Sequence, residues 1–339
     1  MRDRRLFFWL TAVVVTTGLA AAQPPAGLAR FEYVEPHMGT RFRIILYAAD
    51  EATAKRASAA AFRRVAELNG IMSDYQPTSE LMRLCAKAGG DPVPVSADLF
   101  SIVQRSQQVA ALSDGAFDVT VGPVVRLWRL SRRTQRLPEP AKLAAARDLV
   151  GHQNVVLDPT ARTVMLRKAG MQIDLGGIAK GYAAEAAQAV LKQHGVARAL
   201  VAASGDVVVT GPPPGAAGWT VGIGAVSEDE ANAPKLMLRD AAVSTSGDAF
   251  QYVEIDGTRY AHVVDPRTGL GLTNMFQVTV VAKDGTTADA LETALAVMGP
   301  EKGMKLVEGM DSISARFIRK SGAGFEEKVS KEFPAIVAK

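Results

Sequence analysis

At 339 residues, 48% hydrophobic and 22% charged, the chain has ordinary globular composition and enough length for one large domain or two small ones. A net charge of +4, without any run of lysine and arginine interleaved with aromatics, excludes nucleic acid as an indicated partner. Cys85 is the single cysteine, so no intramolecular disulfide can form, and a buried free thiol on a helix is preferred over a catalytic one.

Met1 to Arg5 carries three arginines, residues 6–19 are almost wholly apolar, and Ala20-Ala21-Ala22 supplies an A-x-A site. This is the pattern of a secretory signal peptide over residues 1–22, leaving 23–339 as one catalytic domain. Arg4-Arg5-Leu6-Phe7-Phe8 also fits a loose twin-arginine signal, so both export routes stay open. The apolar run is short for a membrane span, and no cysteine stands at the cleavage site to carry a lipid. An exported, periplasmic and soluble protein is expected.

Residues 31–34 and 41–47 alternate like strands around a turn at 36–40. Asp50 caps an amphipathic helix, with Ala54, Ala57, Ala61, Val65 and Leu68 on one face, ending near Asn69-Gly70. A polar loop over 73–80 leads into a short helical piece through Lys87, and Ser96 caps a helix over 97–112. After Ser113-Asp114-Gly115 come Ala116-Phe117-Asp118-Val119-Thr120 and an apolar helical turn to Trp128, then a helix over 138–150. Residues 154–157 and 163–167 pair as a hairpin. Next, an apolar run ends at Asp174, Gly176-Gly177 turns the chain, and an alanine-rich helix runs to about His194. Residues 199–203, 207–210, 219–223 and 236–243 read as strands, as do a pair around Asp256-Gly257 whose second arm is 259–264, and 277–282. A helix covers 287–299. Strands in neighbouring runs with helices inserted between some of them give an α+β class, mixed sheets with flanking helices in a single catalytic domain.

Several constellations could carry chemistry. The Gly176-Gly177 turn opening a helix gathers unpaired N–H groups and a positive dipole end, which suits a phosphate, or it is simply a close-packed helix start. Its spacing fits neither G-x-G-x-x-G nor a P-loop. Asp289 and Thr293 are four apart and share a helix face, so their oxygens suit a hard cation such as magnesium; the bland reading is a first-turn acid and a back-bonded threonine. His262, just ahead of Asp265-Pro266-Arg267-Thr268-Gly269, is either a general acid or base or a strand histidine beside a turn. Ser244-Thr245-Ser246-Gly247 and Ser204-Gly205-Asp206 offer hydroxyls after strands, as phosphate contacts or as capped turns. Tyr75 could stack on a heterocycle, and the 115–118 backbone could meet one. No two histidines have metal-ligand spacing.

Taken in chain order, these pieces resemble the FAD:protein FMN transferase (ApbE) family. The matching segments are His37-Met38-Gly39-Thr40, Ser73-Asp74-Tyr75, Gly115-Ala116-Phe117-Asp118-Val119-Thr120, Asp174-Leu175-Gly176-Gly177-Ile178-Ala179-Lys180-Gly181, Ser204-Gly205-Asp206, Ser244-Thr245-Ser246-Gly247, His262 to Gly269, and Ala288-Asp289-Ala290-Leu291-Glu292-Thr293. The resemblance implies an ApbE-like fold related to the T-fold. It also implies a magnesium-dependent enzyme that passes FMN from FAD to a threonine or serine hydroxyl and releases AMP. By matching position, Met38, Tyr75, Ala116, Phe117, Asp118, Asp174, Lys180 and Val264 would line the FAD site. Gly177, through its carbonyl, would join Asp289 and Thr293 on the metal, and His262 would be catalytic. Family targets are flavin-carrying subunits of membrane redox complexes. Two readings stand beside it: an FAD pyrophosphatase with water as acceptor, and a periplasmic flavin-binding protein without turnover.

Overall fold

The computed structural model describes residues 27–224, 234–246, 252–273, 277–321 and 324–335; the expected leader and Gly247 lie outside them. Strands β1 (Ala29–His37) and β2 (Thr40–Ala48) form a hairpin across Met38-Gly39. Both turn residues have positive φ, 49° and 73°, matching the tight turn whose twist suits antiparallel strands. Asp50 accepts from the Thr53 N–H at 2.7 Å and starts α1 (Glu51–Met72), which runs two residues beyond the expected glycine. Helix α2 (Glu80–Cys85) is capped by Ser79 and α3 (Ala97–Leu112) by Ser96. Helices α4 (Gly122–Thr134) and α5 (Pro140–Arg147) follow. Strands β3 (Val93–Pro94), β4 (Val155–Asp158) and β5 (Thr163–Leu166) make a small sheet containing the expected hairpin. Cys85 is buried, and burial pushes its thiol pKa up.

The second half supplies α6 (Ala179–Gln193), β6 (Ala199–Ala203), β7 (Asp206–Thr210), β8 (Trp219–Gly222), β9 (Lys235–Leu238) and β10 (Ala241–Ser246). It continues through β11 (Tyr252–Ile255), β12 (Thr258–Ala261), β13 (Gln277–Ala282), α7 (Gly285–Val307), β14 (Ser314–Ser321) and β15 (Gly324–Val329). An eight-stranded antiparallel sheet runs β1-β2-β6-β7-β10-β13-β14-β15. Its middle strands are apolar on both faces because both are covered. Ala199, Val201, Val208, Ala242, Val278 and Val280 face the main core beneath α1, α6 and α7. Leu200, Val207, Val209 and Val243 meet Trp219, Val221, Leu236 and Leu238 of the β8–β9 pair on the other side. A third cluster joins Val124 and Trp128 of α4 to Ala146, Val253, Ile255 and Val264.

Three expectations change. Residues 236–243 are two strands in different sheets, because Asp240 takes a left-handed φ of 46° and turns the chain between β9 and β10. The last long helix starts earlier and continues to Val307 across a non-helical break at Gly299, ahead of Pro300. The strand expected to reach Val264 ends at Ala261, where pairing with β11 gives way to bonds with the returning segment around Leu272.

Helices α6 and α7 cross at a pair of glycines. A Cβ on Gly181 would lie 2.1 Å from the Gly285 carbonyl oxygen and 2.8 Å from Asp289 Cβ, so the backbones touch. Gly181→Ala forces these backbones apart. We expect a cost of about 1–3 kcal/mol, the usual range for overpacking, read as a lower urea midpoint with an unchanged slope. An unaltered midpoint would contradict the crossing.

Candidate active site

One end of the sheet gathers the β1–β2 turn, the β6–β7 turn at Ser204-Gly205, the end of β10 and the start of β13. The starts of α6 and α7 arrive at the same place through their glycine crossing. A cavity of about 890 Å³ opens there. All twelve residues singled out from the sequence line it: Met38, Tyr75, Ala116, Phe117, Asp118, Asp174, Gly177, Lys180, His262, Val264, Asp289 and Thr293.

On the α6–α7 side lies a buried ionic cluster. Lys180 Nζ is 2.6 Å from Asp206 Oδ2 and 3.7 Å from Asp289 Oδ1. Burial works against the lysine charge, but Asp206 and Asp289 outweigh it and its pKa is raised. Asp289 Oδ2 accepts from the Gly181 N–H at 2.9 Å. Burial, with Asp206 beside it, holds the Asp289 carboxyl up at about 7, against the pull of Lys180. Asp206 Oδ1 accepts from the Ser244 hydroxyl at 2.6 Å, which assigns a partner to the serine-rich end of β10. The Gly176-Gly177 turn sits against α7, so closely that a Cβ on Gly177 would be 2.7 Å from Thr293 Oγ1. Helix α6 has no side-chain cap from its own N-cap residue, Ile178, and Asp289 takes the Gly181 N–H of its first turn.

Across the cavity, Arg129 of α4 organises the wall. Its guanidinium reaches Asp74 at 2.6 Å and Asp174 at 2.9 Å, and lies 4.0 Å from the centre of the Tyr75 ring. Burial and the nearby Asp74 raise the Asp174 pKa, while the Gly176 N–H and Arg129 oppose them. Tyr75 itself is 74% exposed, a free aromatic face at the mouth. Asp118 lines the cavity with its carboxylate already engaged: it accepts from Thr120 at 2.8 and 2.6 Å and from the His152 N–H at 2.7 Å. These bonds fix the 116–120 backbone along the wall.

His262 stands just past β12. Bonds from Ala261 N to Leu272 O (2.8 Å) and from Leu272 N to Val263 O (2.9 Å) hold its segment as a narrow loop. Trp128 Nε1 donates to the Gly269 carbonyl at 2.7 Å and ties that loop to α4. Asp265 and Arg267 pair with each other at 2.9 Å in the turn beyond. Sequence reasoning missed Arg129, whose partners are 55 and 45 residues away by numbering, reaching Asp74 and Asp174. It also passed over Glu292, which lines the cavity one residue before Thr293.

The model of the ApbE family matches residues 38–317, the greater part of the chain. The chain belongs to the ApbE family. Relatives in the family include an FAD:protein FMN transferase of Vibrio cholerae, 32% identical over 336 residues, spanning 98% of this chain and 99% of the relative. Another from Klebsiella pneumoniae is 33% identical over 293 residues, spanning 86% and 90%. The solved flavin transferase ApbE from Vibrio cholerae matches the fold with a TM-score of 0.81 and 31% identity, covering 90% of this chain and 98% of that one. The ApbE protein from Thermotoga maritima matches with a TM-score of 0.80 and 30% identity, covering 89% and 97%. The mixed α and β architecture expected from the sequence is therefore the family's own, and the relatives are enzymes of flavin transfer.

Proposed function

We propose that the chain moves FMN from FAD to a threonine or serine hydroxyl of an acceptor protein and releases AMP. The observation that carries this reading is one cavity joining an exposed tyrosine platform, the start of a helix, a buried acid–lysine cluster and a histidine. Residues 1–22 serve as an export signal, so the enzyme works in the periplasm on flavin-carrying subunits of membrane redox complexes. Among the described residues no helix is long and apolar enough to cross a membrane.

In this reading Tyr75, backed by Arg129, and the backbone at 116–118 hold the nucleotide, and Asp174 orients it. Lys180 and the first turn of α6 face the pyrophosphate. His262 takes the proton from the incoming hydroxyl. The hydroxyl oxygen forms a new bond to the FMN phosphorus as the bond from that phosphorus to AMP breaks.

The residues present fit magnesium. Among the described residues no three His, Cys, Asp or Glu side chains converge on one point. Asp289, Thr293 and the Gly177 carbonyl instead offer a few hard oxygens, as suits an ion that keeps places for water and substrate phosphate. Magnesium when bound supplies neutralisation of the pyrophosphate and of the leaving AMP.

Incubation with FAD and a candidate acceptor, with and without magnesium, tests the proposal. Flavin fluorescence on the acceptor band is expected only with magnesium; free FMN alone would identify a pyrophosphatase, and intact bound FAD a carrier. Arg129→Ala should weaken FAD binding by about 1–2 kcal/mol, the scale of a partly desolvated cation–π contact. Quenching of flavin fluorescence measures it, and an unchanged Kd would remove Arg129 from the platform.

A further inference from the structure

We infer that Glu292 belongs to the metal site, presenting its carboxylate to the same divalent cation as Asp289 and Thr293; this rests on the metal-dependent reading above. Positions 289, 292 and 293 are i, i+3 and i+4 on α7, so all three side chains leave one face of the helix. That face is the cavity wall, which all three line.

Glu292 is 4% exposed, and its Oε1 is buried without a hydrogen-bond partner among the described residues. A buried carboxylate oxygen left unmatched is costly, and such an atom at a cavity wall is accounted for by a ligand that satisfies it. The rest of the carboxylate is held in place. The Ser246 hydroxyl bonds to it, and Oε2 lies 3.5 Å from Thr293 Oγ1. Neighbouring oxygens around magnesium stand about 3 Å apart, given bonds of about 2.1 Å in an octahedron. The pair is thus near the spacing at which both could share one ion.

Charge points the same way. Asp206, Asp289 and Glu292 act on one another in this pocket, and Lys180 is the cation among them. With all three ionised, as a bound cation would favour, three carboxylates against one ammonium leave two negative charges, which one divalent cation balances. The alternative is a protonated glutamic acid whose task is to anchor Ser246 at the end of β10.

Binding of Mn²⁺ to the full chain, followed by the electron paramagnetic resonance of the free ion, decides between them. It is measured alone and with ADP, a pyrophosphate that carries no flavin. Glu292→Gln keeps the size and an acceptor for Ser246, and should weaken Mn²⁺ binding by about tenfold or more, as loss of metal-site groups does. Asp289→Asn should weaken it at least as much. Wild-type affinity in Glu292→Gln beside a loss in Asp289→Asn would overturn the role of Glu292 and leave the metal reading intact. No Mn²⁺ binding by the wild type, with or without ADP, would overturn both. Should Glu292→Gln fail to fold, Glu292→Asp, which keeps the charge on a shorter arm, takes its place: reduced affinity supports the assignment and unchanged affinity overturns it.

Discussion

His262→Ala is expected to leave FAD bound while lowering transfer to the acceptor by about 10²–10⁴-fold, the span of general acid–base catalysis. The segment carrying His262 is held by backbone bonds around Ala261, Val263 and Leu272 and by the Trp128–Gly269 contact, none of which uses the imidazole. Truncation is expected to remove the proposed base while these bonds stay in place. In the proposed reading nucleotide binding rests on other residues, Tyr75 with Arg129 on one side and the α6 start on the other. Flavin fluorescence titration gives the first half of the expectation and fluorescence on the acceptor band the second. Full transfer by the variant would remove His262 from the chemistry.

Asp289→Ala is expected to abolish the response of AMP release to magnesium. Asp289 is 2% exposed and accepts from the Gly181 N–H, at the contact that places α6 against α7. Its loss takes away both a carboxylate proposed for the metal and the charge that shares Lys180 with Asp206. AMP release measured against magnesium concentration should be flat, and a wild-type curve would refute the assignment. Loss of fold is a separate matter that Asp289→Asn addresses. The folded carboxyl titrates at about 7, above the roughly 3.9 of an unfolded chain. Ionising it in the metal-free protein thus lowers stability progressively between about pH 4 and pH 7, and the cost stays at higher pH. Asparagine carries no such cost, so inactivity at neutral pH in a well-folded Asp289→Asn protein would be a defect of the site itself.

Local chemistry was the legible part of the sequence. Asp50 and Ser96 start their helices as their side-chain oxygens dictate, and the 97–112 helix has the expected bounds. Residues 277–282 were read correctly as a buried strand from a short, largely apolar run, and the strand is buried along its whole length. What escaped depended on distant partners. A run such as 236–243 keeps a strand-like pattern through Arg239 and Asp240, and only the two sheets that claim its halves divide it. The residues lining the cavity were found through motifs in order, since each motif alone was compatible with an ordinary turn or cap. Arg129 has no local signature, because what marks it is its pairing with Asp74, Asp174 and the Tyr75 ring. Glu292 was visible in spacing, three residues from Asp289, but its burial beside an unmatched oxygen was not.

Two separate hydrophobic bodies carry the proposed reacting groups around the cavity. Lys180, Asp289 and Thr293 are carried by helices rooted in the main core, whereas the segment with His262 and Val264 is rooted in the small cluster around Val124 and Trp128. The histidine and the acid cluster therefore depend on how firmly the lesser body stays docked. A nucleotide reaching across both would act as a brace between them. By mass action, free FAD at a hundredfold excess over its Kd would add about 2.7 kcal/mol to that docking. Substrate would then do more than fill the site: it would set the spacing at which its own bond is broken.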